Sequence, residues 1–285
     1  MFTRFDHVAI AVRSLEQASG FYREVLGMAP TRCATVEDQG VRAALFPIGH
    51  GELELLEPVD PAGGVARFLE RRGEGLHHVC VEVPDVSAAV AHAMALGLPL
   101  IDPTPRPSLA GMIAFLHPKA SHGVLVELAQ PLTPPAPSHA PSGGVRAESI
   151  ATVFVAVGDA IAAAATYARN FRGKIVSVQD DPYFASKKVE VCIGDSRVTL
   201  IGSADRISPV GCFLAERGEG LFGICLRVED FEGALGYLEE AGIPTEVHGR
   251  ATMTPLALLD PTRANGVSLF LCPAPSAAAV HIPAG

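Results

Sequence analysis

The chain has 285 residues, of which 48% are hydrophobic and 19% charged, and its formal net charge is −9. This acidic balance argues against a nucleic-acid-binding surface, and no apolar run approaches the roughly 20 residues of a membrane helix. The six cysteines form no CxxC pair, which favours free thiols over a disulfide framework or a zinc cluster. With no secretory signal in the first residues, we expect a cytoplasmic protein that contacts neither nucleic acid nor membrane.

The first predicted strand is "DHVAIAV", where His7, Ala9 and Ala11 share one face and β-branched residues form the other. A helix follows in "RSLEQASGFYREVLGM", with Ser14 as N-cap and Gly27 as stop. "RAALFPIG" and "GELELLEP" then alternate as two further strands. The next module repeats this order with "HHVCVEV", a helix in "DVSAAVAHAMALG", and the strands "MIAFLHP" and "GVLVEL". Each quarter of the chain is therefore predicted to be a βαβββ module.

The chain also repeats at a longer period. "FLERRGEGLHHVCVEV", starting at Phe68, returns as "FLAERGEGLFGICLRV", starting at Phe213, 145 residues later. A Pro/Gly/Ser-rich stretch between the copies has the composition of a linker. We therefore predict a first domain at 1–130, a linker at 131–147, a second domain at 148–273 and a tail at 274–285, each domain built from two modules.

Four polar residues occupy matching places in the first two modules. His7 and His78 each open an apolar strand, and Glu54 and Glu127 each interrupt a later one. Buried imidazoles and carboxylates are costly unless they compensate one another, so we predict that they meet in one cavity. Two imidazoles with two carboxylates suit a divalent ion such as Co, Mn, Ni, Zn or Fe. Strict strand alternation places the neighbouring His77 on the opposite, outward face.

Four motifs occur in order: "FDHVAIAV", "LELLEP", "GEGLHHVCVEV" and "IAFLHPKASHGVLVEL". Over roughly residues 5–130 the chain resembles methylmalonyl-CoA epimerases of the vicinal oxygen chelate, or glyoxalase-fold, superfamily. The resemblance implies an α+β fold with four βαβββ modules in two tandem domains. It also implies that His7, Glu54, His78 and Glu127 bind the metal.

The resemblance further implies an epimerase or isomerase that forms an enolate from an acyl thioester, with Glu127 as an acid/base group as well as a ligand. A ligand-only role for Glu127 stays open. The chain departs from the family at Ala43, where bacterial epimerases have a second carboxylate. Glu37 and Asp38 lie nearby, but a loop position explains them as well. The expected partner is a small-molecule substrate, with an acyl-CoA as one candidate, and the chain could also form a homodimer.

The second domain has lost every predicted ligand. Thr152, Thr199, Gly223 and Phe270 stand at the four positions, and Phe154 joins Phe270 in the former cavity. We therefore expect only the first domain to bind metal. A structural role is favoured for the second domain, and binding of an apolar molecule without metal stays open.

Three other functions known for this superfamily remain open. A glyoxalase I-type lactoylglutathione lyase uses the same ligand order, but its last strand follows a different turn from "HPKASHG". An extradiol dioxygenase needs two histidines and one carboxylate, so the additional carboxylate argues against it. A non-catalytic, resistance-type binding protein is the third alternative, and the intact ligand set argues against it.

Overall fold

In the computed structural model, residues 2–132, 143–203, 205–249 and 254–274 are described. The first half has strands Phe5–Ala11 (β1), Arg32–Val36 (β2), Val41–Ile48 (β3), Gly51–Pro58 (β4), Gly75–Glu82 (β5), Arg106–Ser108 (β6), Gly111–Leu116 (β7) and Val126–Gln130 (β8). Its helices are Leu15–Glu24 (α1), Gly64–Arg72 (α2) and Val86–Ala95 (α3).

The second half has the same order of elements. Its strands are Ala147–Val157 (β9), Lys174–Asp181 (β10), Ser186–Ile193 (β11), Ser196–Gly202 (β12), Gly220–Val228 (β13), Thr245–His248 (β14), Leu256–Leu259 (β15) and Ser268–Pro273 (β16). Its helices are Ala160–Phe171 (α4), Pro209–Arg217 (α5) and Phe231–Glu240 (α6). Most of the predicted linker, 133–142, and of the predicted tail, 275–285, lies outside the described residues. Among the described residues, no helix is long and apolar enough to cross a membrane.

Each half forms one eight-stranded sheet, with strand orders β2-β3-β4-β1-β5-β8-β7-β6 and β10-β11-β12-β9-β13-β16-β15-β14. The two modules of the first sheet meet where β1 pairs antiparallel with β5, and β4 and β8 add in parallel on either side. The predicted α+β class with four βαβββ modules in two tandem glyoxalase-like domains is confirmed. The linking helices α2 and α5, which join the modules within each half, are missing from the prediction.

The two faces of β1 are used differently. Val8 and Ile10 pack with Leu15 of α1 in the large core, as expected for a β-branched face beneath a helix. The opposite face carries His7 and then the small residues Ala9 and Ala11, which leave space for α2 to lie across the sheet in a smaller cluster. Helix α1 begins where Ser14 accepts a hydrogen bond from the backbone of Gln17, as its capping sequence predicts.

The halves pack about a pseudo-two-fold relation, which is visible in paired contacts. Glu74 accepts hydrogen bonds from the Arg13 backbone in its own half and, at 3.2 Å, from Asn265 in the other half. Glu219 does the same with the Gly158 backbone and, at 2.9 Å, with His122. Such reciprocal contacts are typical of an isologous interface between two subunits. The second half therefore packs against the first as a second subunit would.

Gly123 lies at a close approach of the two halves. Its φ is +79°, and a Cβ there would come within 1.9 Å of the Glu219 carbonyl oxygen. We expect Gly123→Ala to lower the free energy of unfolding by about 2–4 kcal/mol, since it adds both backbone strain and a clash. Urea denaturation of full-length protein measures this.

Gly97→Ala is the matched control for this substitution. Gly97 has a φ of +68°, and a Cβ there would meet nothing within 4 Å, so this variant isolates the backbone cost. That cost is about 1–2 kcal/mol. Equal losses of stability in both variants would show that the close approach of the halves contributes nothing.

Candidate metal centre

The four predicted ligands converge on one buried point. Nε2 of His7 lies 3.2 Å from Nε2 of His78 and 3.3 Å from a carboxylate oxygen of Glu54. Nε2 of His78 lies 3.1 Å from a carboxylate oxygen of Glu127 and 3.9 Å from Glu54. All four residues are less than 9% exposed. Residues that are far apart in sequence therefore form one cluster of two imidazoles and two carboxylates.

The pairing of four adjacent strands explains this convergence. In the order β4-β1-β5-β8, Glu54 lies beside Ala9 of β1, and Ala9 lies beside His78 of β5. Glu127 lies beside Cys80, two residues after His78 and on the same face. Each strand thus contributes one ligand-type side chain to the same face of the sheet.

Two irregularities in the β1–β5 pairing bring further polar groups to the cluster. The register shifts between Phe5 and His7, which leaves Asp6 as an extra residue, and shifts again so that His77 is extra in β5. Such a bulge redirects the side chain of the extra residue. Asp6 therefore reaches Nδ1 of His7 at 2.9 Å, and Nδ1 of His77 lies 2.9 Å from Nδ1 of His78.

The prediction that His77 faces outward is wrong because the bulge breaks strand alternation at this residue. His77 is only partly exposed and its ring contacts Phe68 of α2 as well as His78. In both His7 and His78, Nδ1 thus lies within hydrogen-bond distance of the side chain of the preceding residue. This leaves both Nε2 atoms directed at the common point.

Burial and charge set the protonation of the cluster. Burial, together with the charge of His7, lowers the pKa of His78 to about 3, so its imidazole is neutral at pH 7. Burial would also lower the pKa of His7, but the acidic groups Cys80, Glu54 and Asp6 raise it well above its usual value. Burial raises the pKa of Glu127 to about 7. Glu54 and Asp6 therefore favour the protonated, positively charged form of His7.

This donor set fits a divalent cation. His7, Glu54 and His78 each offer one donor atom, and these atoms lie within 4.8 Å of one another. Neutral imidazole and carboxylate are the donors that Co, Mn, Ni, Zn and Fe ions share. A hydrogen bond at the second ring nitrogen, as Asp6 provides, is the usual support of a metal-binding histidine. A divalent cation at this point would be attracted by the same acidic groups that raise the pKa of His7.

The cluster borders a cavity of about 670 Å³, with His78 in its wall. Four arginines line the cavity: Arg67, Arg71 and Arg72 from α2, and Arg106 from β6. Arg106 is held by Asp38 at 3.1 Å and lies over the ring of Phe115. These arginines are not predicted from the sequence, although the basic end of "GGVARFLERR" was a signal for them. Four guanidinium groups around one cavity favour an anionic ligand.

The two acidic residues near the position of the missing second carboxylate do not replace it. Asp38 forms an ion pair with Arg106, and Glu37 is exposed in the short 3₁₀ helix Glu37–Gln39. Ala43 is fully buried in the apolar cluster beneath α2. The position at which bacterial epimerases have a second carboxylate is therefore apolar in this chain.

In the second half, the equivalent positions are filled differently. Thr152 and Thr199 are joined by a hydrogen bond of 2.8 Å between their hydroxyls. Phe270 lies beside Cys225, as Glu127 lies beside Cys80, and its ring packs against Phe154 at 5.1 Å. Gly223 leaves room for that ring, since a Cβ would come within 3.0 Å of it. Both register shifts recur, at Ala151 and Phe222, so the bulges persist without their polar side chains.

Comparison with known proteins places the first half in a family. The sequence model of the Glyoxalase/Bleomycin resistance protein/Dioxygenase superfamily matches residues 6–115. An uncharacterised protein of Bacillus subtilis, YqjC, is 42% identical over 129 residues, which are 45% of this chain and 92% of that protein. The chain belongs to the glyoxalase/bleomycin resistance protein/dioxygenase superfamily. The ethylmalonyl-CoA/methylmalonyl-CoA epimerase of Cereibacter sphaeroides is 38% identical over 138 residues, covering 46% of this chain and 99% of the epimerase.

The whole chain also aligns with a solved structure. A mutant of 4-hydroxymandelate synthase from Streptomyces coelicolor aligns over 95% of this chain and 92% of its own, with a TM-score of 0.73. The sequence identity is 20%, so this similarity concerns the tandem fold alone. Thus the first half is similar to epimerases in sequence, and both halves together have the architecture of a two-domain protein.

Proposed function

We propose that the chain is a divalent-metal-dependent epimerase or isomerase that acts through an enolate on an acyl thioester, with methylmalonyl-CoA or a related acyl-CoA as substrate. The observation that supports it most is the convergence of His7, Glu54, His78 and Glu127 beside an arginine-lined cavity. The half that contains this cluster is the half that is similar to methylmalonyl-CoA epimerases. That similarity supports an enzyme over a non-catalytic binding protein.

In this proposal the four residues bind the ion and Glu127 also moves the proton. A divalent ion would stabilise the negative charge that develops on the carbonyl oxygen of the thioester. Glu127 removes the α-proton, and the electron pair of the broken C–H bond moves into the enolate. Return of a proton to the opposite face inverts the α-carbon. Because Ala43 has no proton to give, that proton comes from water or from another side chain of the cavity.

The arginines have a separate role in the proposal. Arg67, Arg71, Arg72 and Arg106 line the cavity beside His78 and present guanidinium groups to the anionic parts of the substrate. Carboxylate and phosphate groups, both present in methylmalonyl-CoA, are the anions that arginine binds in bidentate geometry. Phe115 and Leu125 line the same cavity and exclude water around the reacting carbon.

Deuterium uptake from solvent tests this function. Purified protein loaded with Co or Mn is placed in D₂O with methylmalonyl-CoA, and mass gain at the α-carbon is followed. We expect incorporation that stops when the metal is removed by a chelator and resumes when it is restored. Bound metal without incorporation would discard this substrate. The hemithioacetal of glutathione is then the next compound to assay, because it tests the lyase alternative.

Asp6→Ala is expected to weaken metal binding about 10–100-fold, since it removes the hydrogen-bond acceptor that orients His7. Competition with a chromophoric chelator measures the affinity for Co without reference to turnover. Glu82→Ala is the matched control, because Asp6 and Glu82 both form ion pairs with Arg4. An equal loss of affinity in both variants would assign the effect to Arg4 and not to His7.

A further inference from the structure

The second half has a cavity of its own on the face where the first half has the metal cluster. Its volume is about 750 Å³, and the hydroxyl pair Thr152 and Thr199 lies in its wall. The thiols of Cys225 and Cys272 and the ring of Phe154 provide less polar parts of the wall. The volume lies within the range of small-molecule sites, roughly 300–1,000 Å³. The loss of the metal ligands has therefore not closed this face of the sheet.

Three strand positions in the wall of this cavity carry a cationic side chain that the equivalent positions of the first half lack. Arg197 lies two residues before Thr199, at the place that Glu52 has before Glu54. Arg227 lies two residues after Cys225, at the place of Glu82 after Cys80. Lys188 occupies the strand position of Ala43. Two arginines therefore replace two carboxylates and a lysine replaces an alanine, and the three cations line the cavity together with Glu190: Lys188, Arg197 and Arg227.

Two of these cations have acidic partners within the chain. Lys188 lies 3.2 Å from Asp181, and Arg197 lies 3.1 Å from Glu190. Arg227 has no ion pair or hydrogen bond among the described residues, and its Nε is buried. In the first half, Glu82 is paired with Arg4 at 2.6 Å, whereas Ser149 is the residue opposite Arg227. Within the described part of the chain, one guanidinium in the cavity is therefore left without a counter-charge.

A buried guanidinium N–H without an acceptor costs free energy that an anion can recover. A carboxylate matches the fork of an arginine and accepts two parallel hydrogen bonds. The cavity is much larger than a carboxylate group, and its thiols and aromatic ring suit a carbon skeleton. We propose that the second half binds a small organic carboxylate in this cavity, with Arg227 as its anchor.

This proposal is independent of the proposed function of the first half. The cavity shares no lining residue with the arginine-lined cavity beside His78. The two sites can therefore be tested separately in the same full-length protein. Loss of deuterium uptake reports on the first half, and carboxylate binding at Arg227 reports on the second.

Equilibrium dialysis with radiolabelled malonate tests the site. We expect Arg227→Gln to lower malonate binding by at least about tenfold, since it removes a hydrogen bond to a charged group. Arg146→Gln is the matched control, because it removes the same charge from an exposed arginine that lines neither cavity, and it is expected to leave this binding within about twofold. Arg106→Gln reports any malonate that is held in the cavity of the first half. Binding lost in Arg106→Gln but kept in Arg227→Gln would overturn the proposal, as would the absence of binding to the unmodified protein.

A second variant guards against a folding defect in Arg227→Gln. Ser149→Glu places a carboxylate opposite Arg227, as Glu82 stands opposite Arg4, and is expected to block malonate by occupying the guanidinium. Undiminished malonate binding in this variant would contradict the role of Arg227. Inorganic phosphate is added as competitor to separate the two oxyanions. Weak competition is expected from a site built for an organic carboxylate, and complete displacement at equal concentration would overturn that assignment.

Discussion

Glu127→Gln is expected to reduce deuterium uptake at the substrate α-carbon by about 10²–10⁴-fold, the usual contribution of a positioned acid/base group. The amide cannot accept the α-proton, but its carbonyl oxygen can still bind a metal ion. Glu127 is only 3% exposed and lies 3.1 Å from Nε2 of His78, so the change is confined to the cluster. The measurement is the rate of mass gain from D₂O at saturating Co or Mn, with the metal content determined on the same sample.

Glu52→Gln is the control for the loss of a buried carboxylate. Glu52 is 7% exposed and lies on the same strand as Glu54, opposite His7 of β1. Its carboxylate forms an ion pair with Arg32, and among the described residues it has no ion pair or hydrogen bond to the four cluster residues. Its substitution is expected to leave the exchange rate within a few-fold. If Glu127→Gln retained full exchange with metal bound, Glu127 would be a ligand only, and the base would have to be another group.

His78→Ala is expected to lose both the metal and the turnover. Its Nε2 lies within 3.2 Å of His7 and 3.1 Å of Glu127, so its removal leaves one imidazole and two carboxylates without their central partner. The loss of affinity should exceed the roughly 10–100-fold expected for a residue outside the ligand set, such as Asp6. Metal analysis after dialysis and chelator competition measure binding, and the D₂O assay measures turnover.

His50→Ala is the control for the loss of a histidine, since His50 is exposed in the turn between β3 and β4. It is expected to keep metal and activity. A His78→Ala protein that retained its metal together with its turnover would refute the proposed metal site, although the exchange reaction itself would still be shown. A protein that kept its metal but lost turnover would instead leave the metal to the other three residues.

The ligand cluster was predictable because it is encoded in local patterns. Strand alternation has a period of two, so a polar residue in an apolar strand marks which face it occupies. The internal repeat then aligns His7 with His78 and Glu54 with Glu127, and the structure brings these four residues together. The same alignment predicted which half had lost the cluster. Alternation failed at His77, since a bulge adds one residue to the strand and leaves no mark in hydrophobic periodicity.

The surroundings of the cluster were not predictable in the same way. Arg71 and Arg106 come from α2 and β6, which are far apart in sequence and meet only when the sheet curves around the cavity. Arg227 looks like any solvated strand arginine until its neighbours in space are known. Phe184, from the turn between β10 and β11, packs on Phe154 and Phe270, a contact that no repeat or spacing indicated.

The four modules, their pairing into two halves, and the half that retains two histidines with two carboxylates were predictable from the sequence. Those features follow from periodicity and self-similarity, which are properties of neighbouring residues and of the repeat. Three features are visible only in the folded chain. Asp6 and His77 contact the two histidines, Glu74 and Glu219 join the halves, and the second half keeps a cavity that contains Arg227. These depend on bulges, sheet curvature and contacts between distant segments, which fix side-chain directions only once the whole chain is packed.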